Sequence, residues 1–103
     1  MQFDKQGNKI TRDQWADLMK IEGYKRVALD TIGDLEVSTV WLGLNHGWDG
    51  DIKIFETMVF KNRDMGGCYQ ARYSTEEEAK LGHERLKNLL LNNDFSELDL
   101  DGE

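Results

Sequence analysis

The chain has 103 residues, 39% of them hydrophobic and 32% charged, with three Trp, three Tyr and four Phe. That composition fits one globular domain, long enough to bury roughly 65% of its unfolded surface, and excludes a disordered segment. The formal net charge is −7 and no Lys/Arg cluster or long apolar run occurs, which argues against direct nucleic-acid binding and against a membrane span.

The first ten residues, MQFDKQGNKI, lack the apolar stretch of a secretory signal, so the protein is expected to stay in the cytoplasm of the cell that makes it. They read as a short hairpin or arm turning at Asp4-Lys5-Gln6-Gly7-Asn8. A helix is expected from Thr11, because Thr11-x-x-Gln14 has the form of a capping box. Trp15, Leu18 and Met19 make its apolar stripe, and Gly23 is placed to end it as a left-handed cap.

Tyr24 to Ile32 alternates as a strand, with Val27 and Leu29 on one face and Ala28 and the charged residues on the other; Gly33-Asp34 turns the chain. Residues 36–44 follow, with Val37, Thr39 and Trp41 against Val40, Leu42 and Leu44. Apolar groups on both faces indicate a central strand covered on both sides. Ile52 to Phe60 behaves alike, with Ile54, Met58 and Phe60 opposed to Phe55 and Val59. Cys68 to Tyr73 is a short last strand. Cys68 is the single cysteine, with neither His nor a second thiol nearby, and reads as a structural strand thiol.

The strongest helical signal follows. Ser74-Thr75-Glu76-Glu77-Glu78 offers two capping boxes and three carboxylates at the positive end of the helix dipole. Ala79, Gly82, His83, Leu86 and Leu90 line one face. Gly82 costs about 1 kcal/mol relative to Ala inside a helix, tolerable if the helix backbone must lie close on a sheet. Residues 92–103, NNDFSELDLDGE, hold five carboxylates and no basic residue, leaving the remainder at −2. Two segments follow: a domain over 1–91 and an acidic tail over 92–103, the tail either solvated or directed to a basic partner surface.

The expected architecture is α+β, an antiparallel meander of three to four strands with the C-terminal helix across one face and a short N-terminal helix. The N-terminal helix, or a second subunit in a homodimer, would cover the other face.

The segments Ser38-Thr39-Val40-Trp41-Leu42-Gly43-Leu44-Asn45-His46, Ile54-Phe55-Glu56-Thr57-Met58-Val59-Phe60 and Arg72-Tyr73-Ser74-Thr75-Glu76-Glu77-Glu78-Ala79, ending Gly82-His83, resemble those of a family of small uncharacterised bacteriophage-encoded proteins. The opening Phe3-Asp4-Lys5-Gln6-Gly7-Asn8 with an early Trp is similar too. The resemblance spans most of the chain except the tail. It implies phage origin and the cytoplasm of an infected bacterium, and it implies no activity.

The groups able to act as ligands or acid–base residues are His46, Asp49, Asp51, Glu56 and His83. If the two central strands pair, Glu56 lies near Val40, away from the loop, which works against convergence. Asp49-Gly50-Asp51 lacks the further oxygen ligands of a calcium loop. His83-Glu84-Arg85-Leu86-Lys87 carries Lys where a zinc-protease helix needs its second His. No metal and no cofactor are therefore expected, and the chain reads as a non-enzyme.

Glu56 is a carboxylate on an otherwise apolar strand face, so it must find donors such as Arg72 or serve a ligand. The loop Asn45, His46, Trp48, Asp49 and Asp51 is the better binding candidate, since a Trp in a Gly/Asp-rich loop suits an interface anchor. Two readings follow. One is a phage accessory protein that binds a host or phage macromolecule as a counter-defence inhibitor, through that loop with the tail steering towards a basic partner. The other is a small-molecule binder with a pocket between subunits or between helix and sheet, where Glu56 and His83 orient the ligand.

Overall fold

Alternation of side chains from Arg26 to Tyr73 builds a four-stranded antiparallel sheet, and a capped helix packs across it. A computed structural model describes residues 1–45, 50–61 and 67–99. Along the chain lie β1 (Gln2–Phe3), β2 (Lys9–Ile10), α1 (Arg12–Lys20), β3 (Arg26–Ile32), β4 (Leu35–Trp41), β5 (Phe55–Lys61), β6 (Tyr69–Tyr73) and α2 (Glu76–Leu91). β1 and β2 form a separate hairpin, and the main sheet runs β3-β4-β5-β6 with every neighbour antiparallel. The α+β meander expected from the sequence is present, with four strands and the C-terminal helix on one face.

Register sorts the side chains into rows. On the face under α2 lie Asp30–Val37–Val59–Tyr69, then Ala28–Thr39–Thr57–Ala71, then Trp41–Phe55–Tyr73. The middle row holds only Ala and Thr, so the helix can approach closely there. Gly82 lies against Tyr73 of the next row: a Cβ added at Gly82 would land on the Tyr73 hydroxyl. Leu86 and Leu90 then bury with Leu35, Val37, Val59 and Cys68, and Ala79 joins Phe3, Trp41, Ile54 and Phe55. Each large aliphatic side chain buried this way contributes about 1.5–3 kcal/mol.

The N-terminal arm closes the Trp41 end of the sheet. Phe3 donates its N–H to the Gly43 carbonyl at 2.8 Å, and the Trp41 indole donates to the Phe3 carbonyl at 3.1 Å. Trp15 of α1 donates its indole N–H to the Leu42 carbonyl at 3.1 Å. Gly43 lies between the two indoles with φ +75°, and an added Cβ would sit 2.5 Å from Trp15 Nε1 and 2.6 Å from Trp41 Cζ2. No side chain fits that gap, and the left-handed backbone ends β4 before residue 44.

Several local expectations change. The Thr11 capping box forms, with Gln14 N–H to Thr11 Oγ1 at 3.1 Å and Thr11 N–H to Gln14 Oε1 at 2.9 Å. However, α1 ends at the extended residue Ile21, and Gly23 (φ +85°) belongs to the following turn. At α2 the cap is Thr75, whose hydroxyl accepts from Glu78 N–H, while the Glu78 carboxylate reaches the Ser74 N–H instead of its own cap. A bulge between Arg26 and Ala28 resets the phase of β3. Val27 therefore packs towards the Trp41 cluster while Leu29 shares the opposite face with Ser38. Ile54 precedes β5 and is buried with Phe55, so it does not share the face of Met58 and Phe60.

α1 does not cover the second face of the sheet. Its Trp15, Leu18 and Met19 pack against the Trp41 cluster, on the side already occupied by α2. The second face carries Arg26–Val40–Glu56–Arg72, Leu29–Ser38–Met58–Gln70 and Thr31–Glu36–Phe60, and none of these residues is fully buried.

The tail folds back in part. Leu98 packs against the Leu86/Leu90 cluster, and Asp99 donates its N–H to the Cys68 carbonyl at 2.7 Å. Arg85 clamps both Glu97 oxygens, at 2.8 and 2.9 Å.

Candidate functional site

The loop singled out in the sequence springs from the Trp41 end of the sheet. His46, Trp48 and Asp49 lie outside the described residues; Asn45, Gly50 and Asp51 are described, and all three are exposed. The neck of the loop is closely tied. Asn45 Oδ1 accepts the Lys53 N–H at 2.9 Å, Leu44 bridges Gln2, and Gly43 holds the arm through its carbonyl. A loop whose base is fixed by a packed scaffold can present side chains at low ordering cost, which suits recognition.

Glu56 sits opposite Val40 on the second face, as strand pairing implies. Its Oε2 accepts from Gln70 Nε2 at 2.7 Å and from Arg72 Nε at 3.2 Å. The carboxylate is satisfied by the next strand, one of the structural roles open to it.

His83 is the centre of a polar chain crossing the sheet under α2. Its Nε2 lies 2.8 Å from Asp30 Oδ2, and its Nδ1 lies 2.7 Å from Thr39 Oγ1, which is 2.5 Å from Thr57 Oγ1. Lys87 reaches the other Asp30 oxygen at 3.8 Å. The hydrogen bond from His83, aided by the Lys87 charge and opposed by burial, holds the Asp30 carboxyl below the usual aspartate range. An ionised carboxylate can only accept, so Nε2 carries a proton; in the neutral ring Nδ1 then accepts from the Thr39 hydroxyl. Burial pushes the neighbouring Tyr73 phenol up, with Tyr69 adding to it.

The order carboxylate–imidazole–hydroxyl is the one that activates a nucleophile in hydrolases. Here Thr39 has 0% and His83 1% exposure, and α2 lies over both. The chain therefore acts as a polar staple between helix and sheet. The sequence points to His83 on the inner helix face; it gives no sign of its partners. Asp30 comes into reach through its pairing with Val37, and Thr39 and Thr57 face each other through register alone.

Glu56 and His83 occupy opposite faces of the sheet, so the structure does not bring them together around one ligand. A cleft of about 430 Å³ opens at the β6 edge between Met58, Gln70 and the tail residues Glu97 and Asp99, and neither Glu56 nor His83 lines it. Among the described residues no group of three His, Cys, Asp or Glu side chains could hold a metal, and no helix is long and apolar enough to cross a membrane. No family model, curated protein or solved structure matches the chain.

Proposed function

We propose that the chain is a non-enzymatic binding protein that presents the 45–51 loop to a protein partner. The observation that carries this reading is the fixed neck of the loop, where Asn45, Leu44 and Gly43 are each tied to a different segment: Lys53, Gln2 and Phe3. Support for the non-enzymatic part comes from the Asp30–His83–Thr39 chain, whose hydroxyl is sealed beneath α2. Trp48 is the anchor suggested by residue type, and the acidic Asp49 and Asp51 suit a partner surface carrying Lys or Arg. In keeping with the resemblance to phage-encoded proteins, the partner on this reading is a host or phage protein of an infected bacterium's cytoplasm, and the complex blocks its action.

Affinity capture of the tagged chain from infected bacteria, followed by mass spectrometry, tests the reading. A partner held at fixed stoichiometry and released by Trp48→Ala supports it. The same partner retained by that variant, or none at all, refutes the loop assignment.

A further inference from the structure

We infer that the second face of the sheet is a self-complementary interface through which two copies of this chain form a symmetric dimer. The inference goes beyond the loop reading and does not depend on it. The face has three rows of distinct character. The outer row nearest the arm carries Arg26 and Arg72 with Glu56 already paired to Arg72; the middle row, Leu29–Ser38–Met58–Gln70, is uncharged; the far row carries Glu36 with Thr31 and Phe60. One end of the face is thus net basic and the other acidic, with an uncharged strip between them that meets the carboxylates of Glu97 and Asp99 only at its β6 end. Among the described residues, neither Arg26 nor Glu36 makes an ion pair within the chain.

Two sheets packed face to face lie about 10 Å apart with their strands nearly aligned. A two-fold axis in the interface plane and along the middle row exchanges the two outer rows. It carries Arg26 of one copy over Thr31 and beside Glu36 of the other, and the symmetry repeats that contact. Met58 meets Met58 near the axis, flanked by Val40, Phe60 and Leu29, the last 38% exposed. The alternative axis, along the strands, would set Arg26 against Arg72 of the second copy and is disfavoured by like charge. Four strands at about 4.8 Å and three rows at about 7 Å make a patch roughly 15–20 Å on a side, under about 1,000 Å² over both copies, so the dimer is weak and transient.

Sedimentation of the full chain from about 1 µM to about 1 mM reads the result, a range that brackets a modest Kd. The wild type passes from monomer to dimer across it. Arg26→Glu weakens dimerisation about tenfold, as does Glu36→Arg, while the two together return it to within about threefold of wild type. Met58→Lys, which places two like charges at the axis, abolishes it. Arg26 is exposed, so its variant keeps the wild-type melting curve; should it not, Glu36→Arg probes the same contact from the other side. A wild type that is monomeric throughout, whether the face is bare or covered by another protein, overturns the inference. So does a dimer indifferent to Met58→Lys, or a charge swap that fails to rescue. Trp48→Ala leaves this dimer unchanged, which separates its failure from that of the loop.

Discussion

Nδ1 of His83 on α2 lies 2.7 Å from the Thr39 hydroxyl on β4, with both groups sealed from solvent. This contact fixes the height and rotation of the helix over the Ala28–Thr39–Thr57–Ala71 row. His83→Ala leaves a cavity and strips the Thr39 hydroxyl of its imidazole acceptor, and is expected to cost about 3 kcal/mol in urea unfolding. Thr39→Val keeps the volume but leaves the buried His83 Nδ1 without its hydroxyl partner, at about 1–3 kcal/mol. A loss below about 0.5 kcal/mol in both variants would show that the chain of hydrogen bonds does not hold the helix.

The same network sets an acid limit. The carboxyl of Asp30 titrates below its usual 3.8 in the fold, so its ionised form stabilises the native state above that value. That contribution fades as pH falls through the lower folded value. Urea midpoints should therefore drop below about pH 4. Asp30→Asn should be less stable than wild type at pH 7 and converge with it towards pH 2. A gap that stays constant over that range would contradict the linkage.

Gly43 sits between the Trp15 and Trp41 indoles in a left-handed conformation. Gly43→Ala adds backbone strain to overpacking against two rings, about 2–4 kcal/mol together. The variant should show a lower melting temperature and altered Trp fluorescence. An unchanged melting curve would mean that the arm and α1 shift without cost.

Leu98 ties the acidic tail to the Leu86/Leu90 cluster. Leu98→Ala should raise amide exchange at Asp99, whose N–H bonds the Cys68 carbonyl, and lower global stability by about 1 kcal/mol. Exchange that is unaltered at Asp99 would show the segment held by other contacts.

Much of the fold is legible in the sequence because it is locally encoded. The Thr11–Gln14 box, the Glu-rich start of α2 and the inward set Ala79, His83, Leu86 and Leu90 need only neighbouring residues to be read. Pairing of two alternating runs also places Glu56 beside Val40. What escapes depends on long-range geometry. The hairpin register puts Leu29 on the open face and Asp30 under the helix, while a one-residue bulge turns Val27 to the face opposite Leu29, and no periodicity announces it. The covering of both sheet faces fails for a related reason: α1 is drawn to the Trp41 end by the Trp15–Leu42 hydrogen bond and the Gly43 gap. Of the candidate site, the residues at the neck of the loop are placed, whereas the His83 partners are visible only in three dimensions.

Calorimetry of the captured partner against the wild-type chain and against Trp48→Ala tests whether the loop is the binding surface. If Trp48 anchors the complex, the variant loses about 2 kcal/mol or more, roughly thirtyfold in Kd, while still melting as wild type does. Equal affinity for the two proteins would contradict it and move the binding surface away from the loop.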